Sequence, residues 1–227
     1  MPPVVSPVRS DEQIKKDVVD HLYVDDRVDA SDVNVEVNNG RVVLTGNVPS
    51  CMARRAAGDD AFGILGVRGV HNQLTVLKSV GPLLSDEVIQ ANAKSVLEWS
   101  SDVDASDIRV NVSVGTVSLG GSVVSYWQRT LAERLVANIG GVVDVDNELT
   151  IVPTGDVSDE MIAENIESSL RRSPCVSVDD VVVKVAQGVV TLSGTAPSFP
   201  ALCCVREIVQ HTAGVRDIGD NLSIADQ

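Results

Sequence analysis

The sequence is poor in aromatic residues and in positive charge. Aromatic residues make up 3% of the 227 residues and hydrophobic residues as a group 44%. The core must therefore consist mainly of Val, Ile, Leu and Ala, and the abundance of Val favours β-strands. The formal net charge is -14 at pH 7. Because an acidic surface repels phosphate groups, we expect no nucleic-acid partner and no adsorption to membranes through basic patches.

Long hydrophobic runs are also missing. No stretch approaches the ~18 consecutive apolar residues that a membrane-spanning helix requires, and residues 1–10 lack the basic segment and apolar run of a signal peptide. We therefore expect a cytoplasmic protein. The alternative is a periplasmic location, if a leader is missing from this chain.

Three copies of one pattern account for most of the chain. The tripeptide Ser-Asp-Glu begins at residues 10, 85 and 158, and the resulting offsets of 75 and 73 residues hold without a gap. They superimpose three sets of glycines, which are Gly40, Gly115 and Gly188; Gly46, Gly121 and Gly194; and Gly66, Gly141 and Gly214. Self-similarity of this kind predicts tandem modules. We place them at 10–76, 85–151 and 158–224, with short linkers at 77–84 and 152–157.

Each copy predicts the element order α-β-β-α-β. A Ser followed by Asp-Glu is typical of a helix start, and apolar residues four apart mark the buried stripe of this first helix: Ile14, Val18 and Leu22; Ile89, Ala93 and Leu97; Ile162, Ile166 and Leu170. Alternating apolar residues then predict two strands joined by a tight turn, which is Asn38-Asn39-Gly40 in the first copy. A second helix begins near Ser50, Ser125 and Ser198, and one further strand follows it.

The second helix is least regular in the first copy. Its inward stripe is clearest at Leu131, Leu135 and Ile139, whose counterparts in the first copy include Asp60, with Gly58 close by. We therefore expect a shorter or looser helix in the first copy. The predicted fold class is α+β, with three tandem modules, each a small mixed three-stranded sheet with two helices on one face. The β-α-β part should form a right-handed crossover, and the strand order is open.

The modules resemble the BON domain, which is named for bacterial OsmY and nodulation proteins. The element order, the segments Gly40-Arg-Val-Val-Leu-Thr-Gly46 and Gly188-Val-Val-Thr-Leu-Ser-Gly194, and the Gly-Val pairs that begin at Gly66, Gly141 and Gly214 carry the resemblance. It implies a non-enzymatic module of osmotic-shock, envelope and transport-associated proteins that binds phospholipid or another envelope component. It brings no catalytic residue and no cofactor. The nine repeated glycines are expected to be structural, because they permit tight turns and close packing.

No group of residues predicts catalysis or a metal site. The cysteines are Cys51, Cys175, Cys203 and Cys204, and the histidines are His21, His71 and His211. No two cysteines form a C-x-x-C pair, and no histidine recurs at the matching position of another copy, so metal binding and general acid-base catalysis are both disfavoured. The Asp-rich segments near residues 25–32 and 102–107 lack the ligand order of a calcium loop, which favours turn and capping roles.

The sharpest hypothesis for a binding site concerns the aromatic residues of the second copy. Trp99 ends the first helix there, and Tyr126 and Trp127 begin the second. An exposed Trp127 would anchor an interfacial or ligand contact, whereas the alternative is that it covers the edge of a small sheet. Two functions follow from the sequence. The first is multivalent binding to a phospholipid membrane or an envelope component in osmotic or general stress. The second is a cytoplasmic protein-protein interaction scaffold.

Overall fold

In a computed structural model, the described residues are 9–77, 84–155, 157–173 and 181–224. These ranges contain six α-helices and three small mixed sheets, arranged in two compact units. One unit holds the first module, and the other holds the second and third. The predicted fold class is therefore confirmed.

Each module repeats the order α-β-β-α-β. The first contains α1 (Asp11–Val24), β1 (Val33–Asn38), β2 (Arg41–Val48), α2 (Cys51–Phe62), β3 (Gly69–Asn72) and β4 (Thr75–Val76). The second contains α3 (Asp86–Trp99), β5 (Arg109–Ser113), β6 (Thr116–Val123), α4 (Tyr126–Ala137) and β7 (Asp144–Ile151). The third contains α5 (Asp159–Arg172), β8 (Val181–Ala186), β9 (Val189–Ala196), α6 (Phe199–Gln210) and β10 (Asp217–Ile224). In the first module, β3 and β4 together replace the single last strand of the others.

The second strand of each hairpin lies at the centre of its sheet. In the second module, β6 is antiparallel to β5, with Arg109 opposite Gly120, and parallel to β7, with Val123 opposite Ile151. Parallel neighbours need a crossover connection, and the second helix of each module supplies it. This arrangement settles the strand order that the sequence left open.

The predicted stripe of the first helices is confirmed, since all nine of its residues are at most 2% exposed. The second helices differ from the prediction by one position. Leu131, Leu135 and Ile139 are only partly buried, whereas Ala132 and Val136 are fully buried. The deepest contacts of α4 are thus made by smaller side chains, and the predicted leucines flank them.

The expectation that α2 would be shorter was wrong, because α2, α4 and α6 each have 12 residues. Ser50 caps α2 by accepting a hydrogen bond of 3.0 Å from the backbone N–H of Ala53. Gly58 also serves the packing here, since a Cβ atom at that position would lie 3.0 Å from Nδ2 of Asn72. These contacts offset the low helix propensity of glycine.

A carboxylate at the start of each first helix binds the hairpin turn of the same module. Asp86 accepts hydrogen bonds from the backbone N–H groups of Val114, at 2.7 Å, and Gly115, at 2.9 Å. Equivalent bonds join Asp11 to Asn39 and Gly40, and Asp159 to Gln187 and Gly188. The first helix of every module therefore begins at the hairpin turn and ends at the opposite end of the sheet.

Glycine is sterically required where the second strand passes the start of the first. Gly121 has a φ of +117°, and a Cβ atom there would lie 1.9 Å from the carbonyl oxygen of Asp107. Gly46 has the same relation, also 1.9 Å, to the carbonyl oxygen of Asp32. No other residue could adopt this backbone without moving the strand. All nine repeated glycines have positive φ.

Candidate functional site

The three aromatic residues singled out in the second module occupy two separate places. Trp99 is the last residue of α3 and is 88% exposed. Tyr126 and Trp127 lie in the first turn of α4, where both are partly buried. The structure therefore does not bring the three side chains together into one site.

The first turn of α4 contacts the third module. The rings of Trp127 and His211 have their centroids 4.2 Å apart at an interplanar angle of 35°. Tyr126 packs against the hydrophobic core of the third module, and this burial raises the pKa of its phenol above the ordinary value of 10.0. Part of the Trp127 ring is therefore already in contact with His211 within the chain.

Arg129 adds polar contacts on the same side of α4. Its guanidinium lies 5.9 Å from the centre of the Tyr126 ring, and its Nη1 atom lies 3.9 Å from Oδ1 of Asp217 in the third module. A cation over an aromatic face is attracted to it, and a partly exposed ion pair contributes at most about 1 kcal/mol. Arg129 thus adds a small polar contribution beside the aromatic contacts of this junction.

Exposed apolar residues collect at one end of the second module. Because α3 begins at the hairpin turn, Trp99 lies at the opposite end, where β6 and β7 both finish. Val124 and Val152 follow these two strands and are exposed, and the backbone N–H of Val152 binds the carbonyl oxygen of Val123 at 2.8 Å. We call Trp99, Val124 and Val152 the apolar end of the second module.

The first module has an apolar end at the matching position. It consists of Tyr23, Val24 and Leu77, all exposed, with Val24 at 80%. In the third module, the last two residues of α5 are Arg171 and Arg172, so the same place is charged. No helix in the described part of the chain is long and apolar enough to cross a membrane.

An open groove of about 480 Å³ lies between α5 and α6 of the third module. Asn165, Cys204, Glu207 and His211 contribute to its lining. Cys204 and His211 are two turns apart on α6, about 10 Å along the helix axis, which is too far for a thiolate–imidazole pair. The ring of His211 also contacts Trp127. Among the described residues that line the groove, Cys204 and His211 therefore do not form a nucleophile–base pair.

The predicted turn roles of the Asp-rich segments are confirmed at two positions. Asp29 and Asp104 each accept a 3.1 Å bond from a backbone N–H and a 2.7 Å bond from a hydroxyl, donated by Ser31 and Ser106 respectively. These bonds hold the pKa of both carboxyls below the ordinary value. Within the described ranges, no group of three or more His, Cys, Asp or Glu side chains could hold a metal ion. Cys175 lies outside the described residues.

Sequence reasoning missed the partner of Trp127 and the bonds between the first helices and the hairpin turns. The bonds to the hairpin turns could have been predicted, because Asp11, Asp86 and Asp159 recur in all three copies. The contact of Trp127 left no such signal, since neither Trp127 nor His211 has a counterpart of its own kind in another module.

Comparison with known proteins relates every module to one family. The BON domain matches residues 10–78, 85–153 and 158–226. The osmotically-inducible protein Y of Escherichia coli (strain K12) is 26% identical over 152 residues, which cover 64% of this chain and 76% of that protein. The 21 kDa hemolysin of Actinobacillus pleuropneumoniae is 30% identical over 135 residues, 58% of this chain and 69% of that protein.

One more relative and one solved structure are also similar to this chain. The outer membrane lipoprotein DolP of Haemophilus influenzae is 33% identical over 112 residues, 48% of this chain and 58% of that protein. Among solved structures, the C-terminal domain of CdsD, a structural protein of the type III secretion system of Chlamydia trachomatis, matches 96% of this chain and 100% of that chain. Its sequence identity is 16% and its TM-score 0.27, a value too low to support a functional comparison.

Proposed function

This chain belongs to the BON domain family, and from that premise we propose that it is a non-enzymatic binding protein of the cell envelope that associates with phospholipid surfaces under osmotic stress. The names of two relatives support this proposal, since one is osmotically inducible and another is an outer membrane lipoprotein. They favour the periplasmic alternative over the cytoplasmic location expected from residues 1–10.

The apolar ends of the first and second modules are the observation that carries the proposal. A Trp that is 88% exposed, with aliphatic neighbours, matches the amphipathic groups that enter the interface between lipid headgroups and acyl chains. The net charge of -14 opposes attraction to anionic lipids. Binding should therefore depend on burial of apolar surface and persist at physiological salt.

Vesicle co-sedimentation of the intact chain tests this proposal. Vesicles of phosphatidylcholine alone and vesicles that also contain phosphatidylglycerol are compared at low and physiological salt. Trp99→Ala should lower the partition coefficient about tenfold, because losing about 60 Å² of buried apolar area costs about 1.5 kcal/mol. Trp127→Phe is the matched control. It also removes one Trp but keeps a ring against His211, and it should leave vesicle binding unchanged.

Failure to bind vesicles would favour a different function. If the chain does not sediment with either kind of vesicle, the lipid proposal is wrong, and a protein-protein scaffold becomes the leading function. The first turn of α4 supports that second candidate, because it already docks on a protein surface within the chain. Binding that disappears at physiological salt would also contradict the proposal, since it would indicate attraction by charge.

A further inference from the structure

Helix α2 carries a carboxylate where the other modules have aliphatic side chains. Asp60 is 9% exposed, and the repeat offsets align it with Leu135 and Ile208. Among the residues that the structure describes, none donates a hydrogen bond to its Oδ2 atom. A buried carboxylate oxygen without a donor is costly, because it has lost its hydration without a replacement.

The neighbours of Asp60 connect α2 to the end of α1. Nη2 of Arg27 lies 3.3 Å from Oδ1 of Asp60, and Nε of the same guanidinium binds both oxygens of Asp25 at 3.0 and 2.9 Å. Asp25 is the C-cap residue that follows α1. From the last turn of α1, Nε2 of His21 lies 3.9 Å from Oδ1 of Asp60. The carboxylate of Asp59, on α2, also acts on Arg27.

The charges of this cluster do not balance when Asp60 is ionised and His21 is neutral. Arg27 faces the carboxylates of both Asp25 and Asp60, so these three side chains together carry one net negative charge beside the buried Oδ2 atom. Burial and the neighbouring Asp25 together raise the pKa of Asp60 to about 6, against the opposing effects of His21 and Arg27. Bonds from Arg27 hold the pKa of Asp25 well below the ordinary value of 3.8. Asp25 therefore stays ionised and can accept a hydrogen bond from protonated Asp60.

We infer that the cluster of His21, Asp25, Arg27 and Asp60 makes the first module a proton-responsive unit, whose two helices are joined more firmly in mild acid than at neutral pH. The second and third modules do not share this response, because Leu135 and Ile208 replace the carboxylate. The inference goes beyond the proposed function and does not depend on it. It concerns the stability of one module, whatever the chain binds.

The sign of the effect follows from the two pKa shifts. The pKa of Asp60 is raised on folding, so its stabilising contribution is complete below the unfolded pKa of 3.8 and is lost as the pH rises through about 6. The pKa of Asp25 is lowered, so its contribution is present above 3.8 and is lost only as the pH falls below that value. The window in which acid stabilises the first module is therefore about pH 4 to 6.

Hydrogen exchange of the full chain, read by mass spectrometry, tests this inference at about pH 5 and about pH 7.5. Rates are divided by the intrinsic exchange rates, so that only structural protection is compared. Peptides from α1 and α2 should gain about tenfold protection at the lower pH, since about one pKa unit lies between pH 5 and the Asp60 midpoint and each unit corresponds to a factor of ten. Peptides from α3 to α6 should gain less, because they lack the carboxylate.

Asp60→Asn is the decisive variant. An amide can donate to Asp25 at any pH, so this variant should already show high protection at about pH 7.5 and gain no more than the other modules in acid. If the wild type and the variant gain equally, the inference is wrong. A carboxyl ¹³C titration of the folded wild type gives a second reading, and an Asp60 midpoint at its ordinary value would also overturn the inference.

Discussion

The first and second modules share one backbone but join their two helices by different chemistry. In the second module, Leu135 packs against the hydrophobic core together with neighbouring aliphatic residues. In the first module, Asp60 takes that position and meets Arg27 at 3.3 Å. The stripe of the first helix, the Asp at its start and the glycines with positive φ are common to both modules. The fold is therefore specified by these shared features, which leaves the helix–helix contact free to vary.

Of the changes considered, an Asp in the second module at the position that matches Asp60 should lower the free energy of unfolding most. Leu135→Asp puts a charge into the α3–α4 contact, where the positions that match Asp25 and Arg27 hold Ser100 and Asp102. Because neither of these positions supplies a cation, the change should cost about 3 kcal/mol of unfolding free energy near pH 7. Urea denaturation followed by Trp fluorescence measures this directly, because both Trp residues lie in the second module.

The control is Leu135→Asn, which removes the same apolar contact without adding charge. The Asp variant should recover part of its loss at about pH 5, whereas the Asn variant should not. An Asp variant as stable as the wild type near pH 7 would show that this position tolerates a charge without partners. The arginine of the first module would then have no special importance.

Removal of the Asp at the start of the first helix should cause the next largest loss of unfolding free energy. The loss should be equal in the first and second modules. Asp86→Ala leaves the backbone N–H groups of Val114 and Gly115 without their charged acceptor, which should cost about 2 kcal/mol. Asp11→Ala should cost the same, because its bonds to the hairpin turn are of similar length, 2.8 and 2.9 Å. Urea denaturation measures the second module, and hydrogen exchange measures the first.

Asp86→Asn keeps one acceptor oxygen and should lose about half as much. If Asp11→Ala were nearly neutral while Asp86→Ala was not, the two modules would differ in more than their helix–helix contact. The contact between the first helix and the hairpin turn would then also differ in strength between the two modules.

The spacing of apolar residues predicted those features of the fold that depend on which face of a helix or strand is apolar. The spacing of Ile89, Ala93 and Leu97 placed the buried side of α3 correctly, because one helix face packs on one sheet. The sequence predicts Leu135 on the inward stripe, one position away from the deepest contact, because hydrophobicity selects large side chains while close packing of α4 on the sheet selects small ones such as Ala132. The binding roles that the sequence predicts for Trp99, Tyr126 and Trp127 are untested, and of the three only Trp99 enters the lipid proposal.

Contacts between distant segments could not be predicted from the spacing of residues along the sequence. Trp127 meets His211 from another module, and Asp60 meets Arg27 across 33 residues of chain. Periodicity reports which face of an element is apolar, but it does not report which polar groups the fold brings together. Asp60 was visible in the sequence as an irregularity of the second helix, and its partners were not.

Substitutions in the hairpin turns should have the smallest effect on the difference in stability between the two modules. Val114 has a φ of 53° and Asn39 a φ of 51°, and a β-branched residue is strained in this left-handed region whereas Asn tolerates it. Val114 is 68% exposed, so its side chain contributes little packing. Val114→Asn should therefore stabilise the second module by about 1 kcal/mol, seen as a higher urea midpoint with an unchanged slope. Asn39→Val should destabilise the first module by a similar amount in hydrogen exchange, and a neutral result at both positions would mean that the turns relax to accommodate either residue.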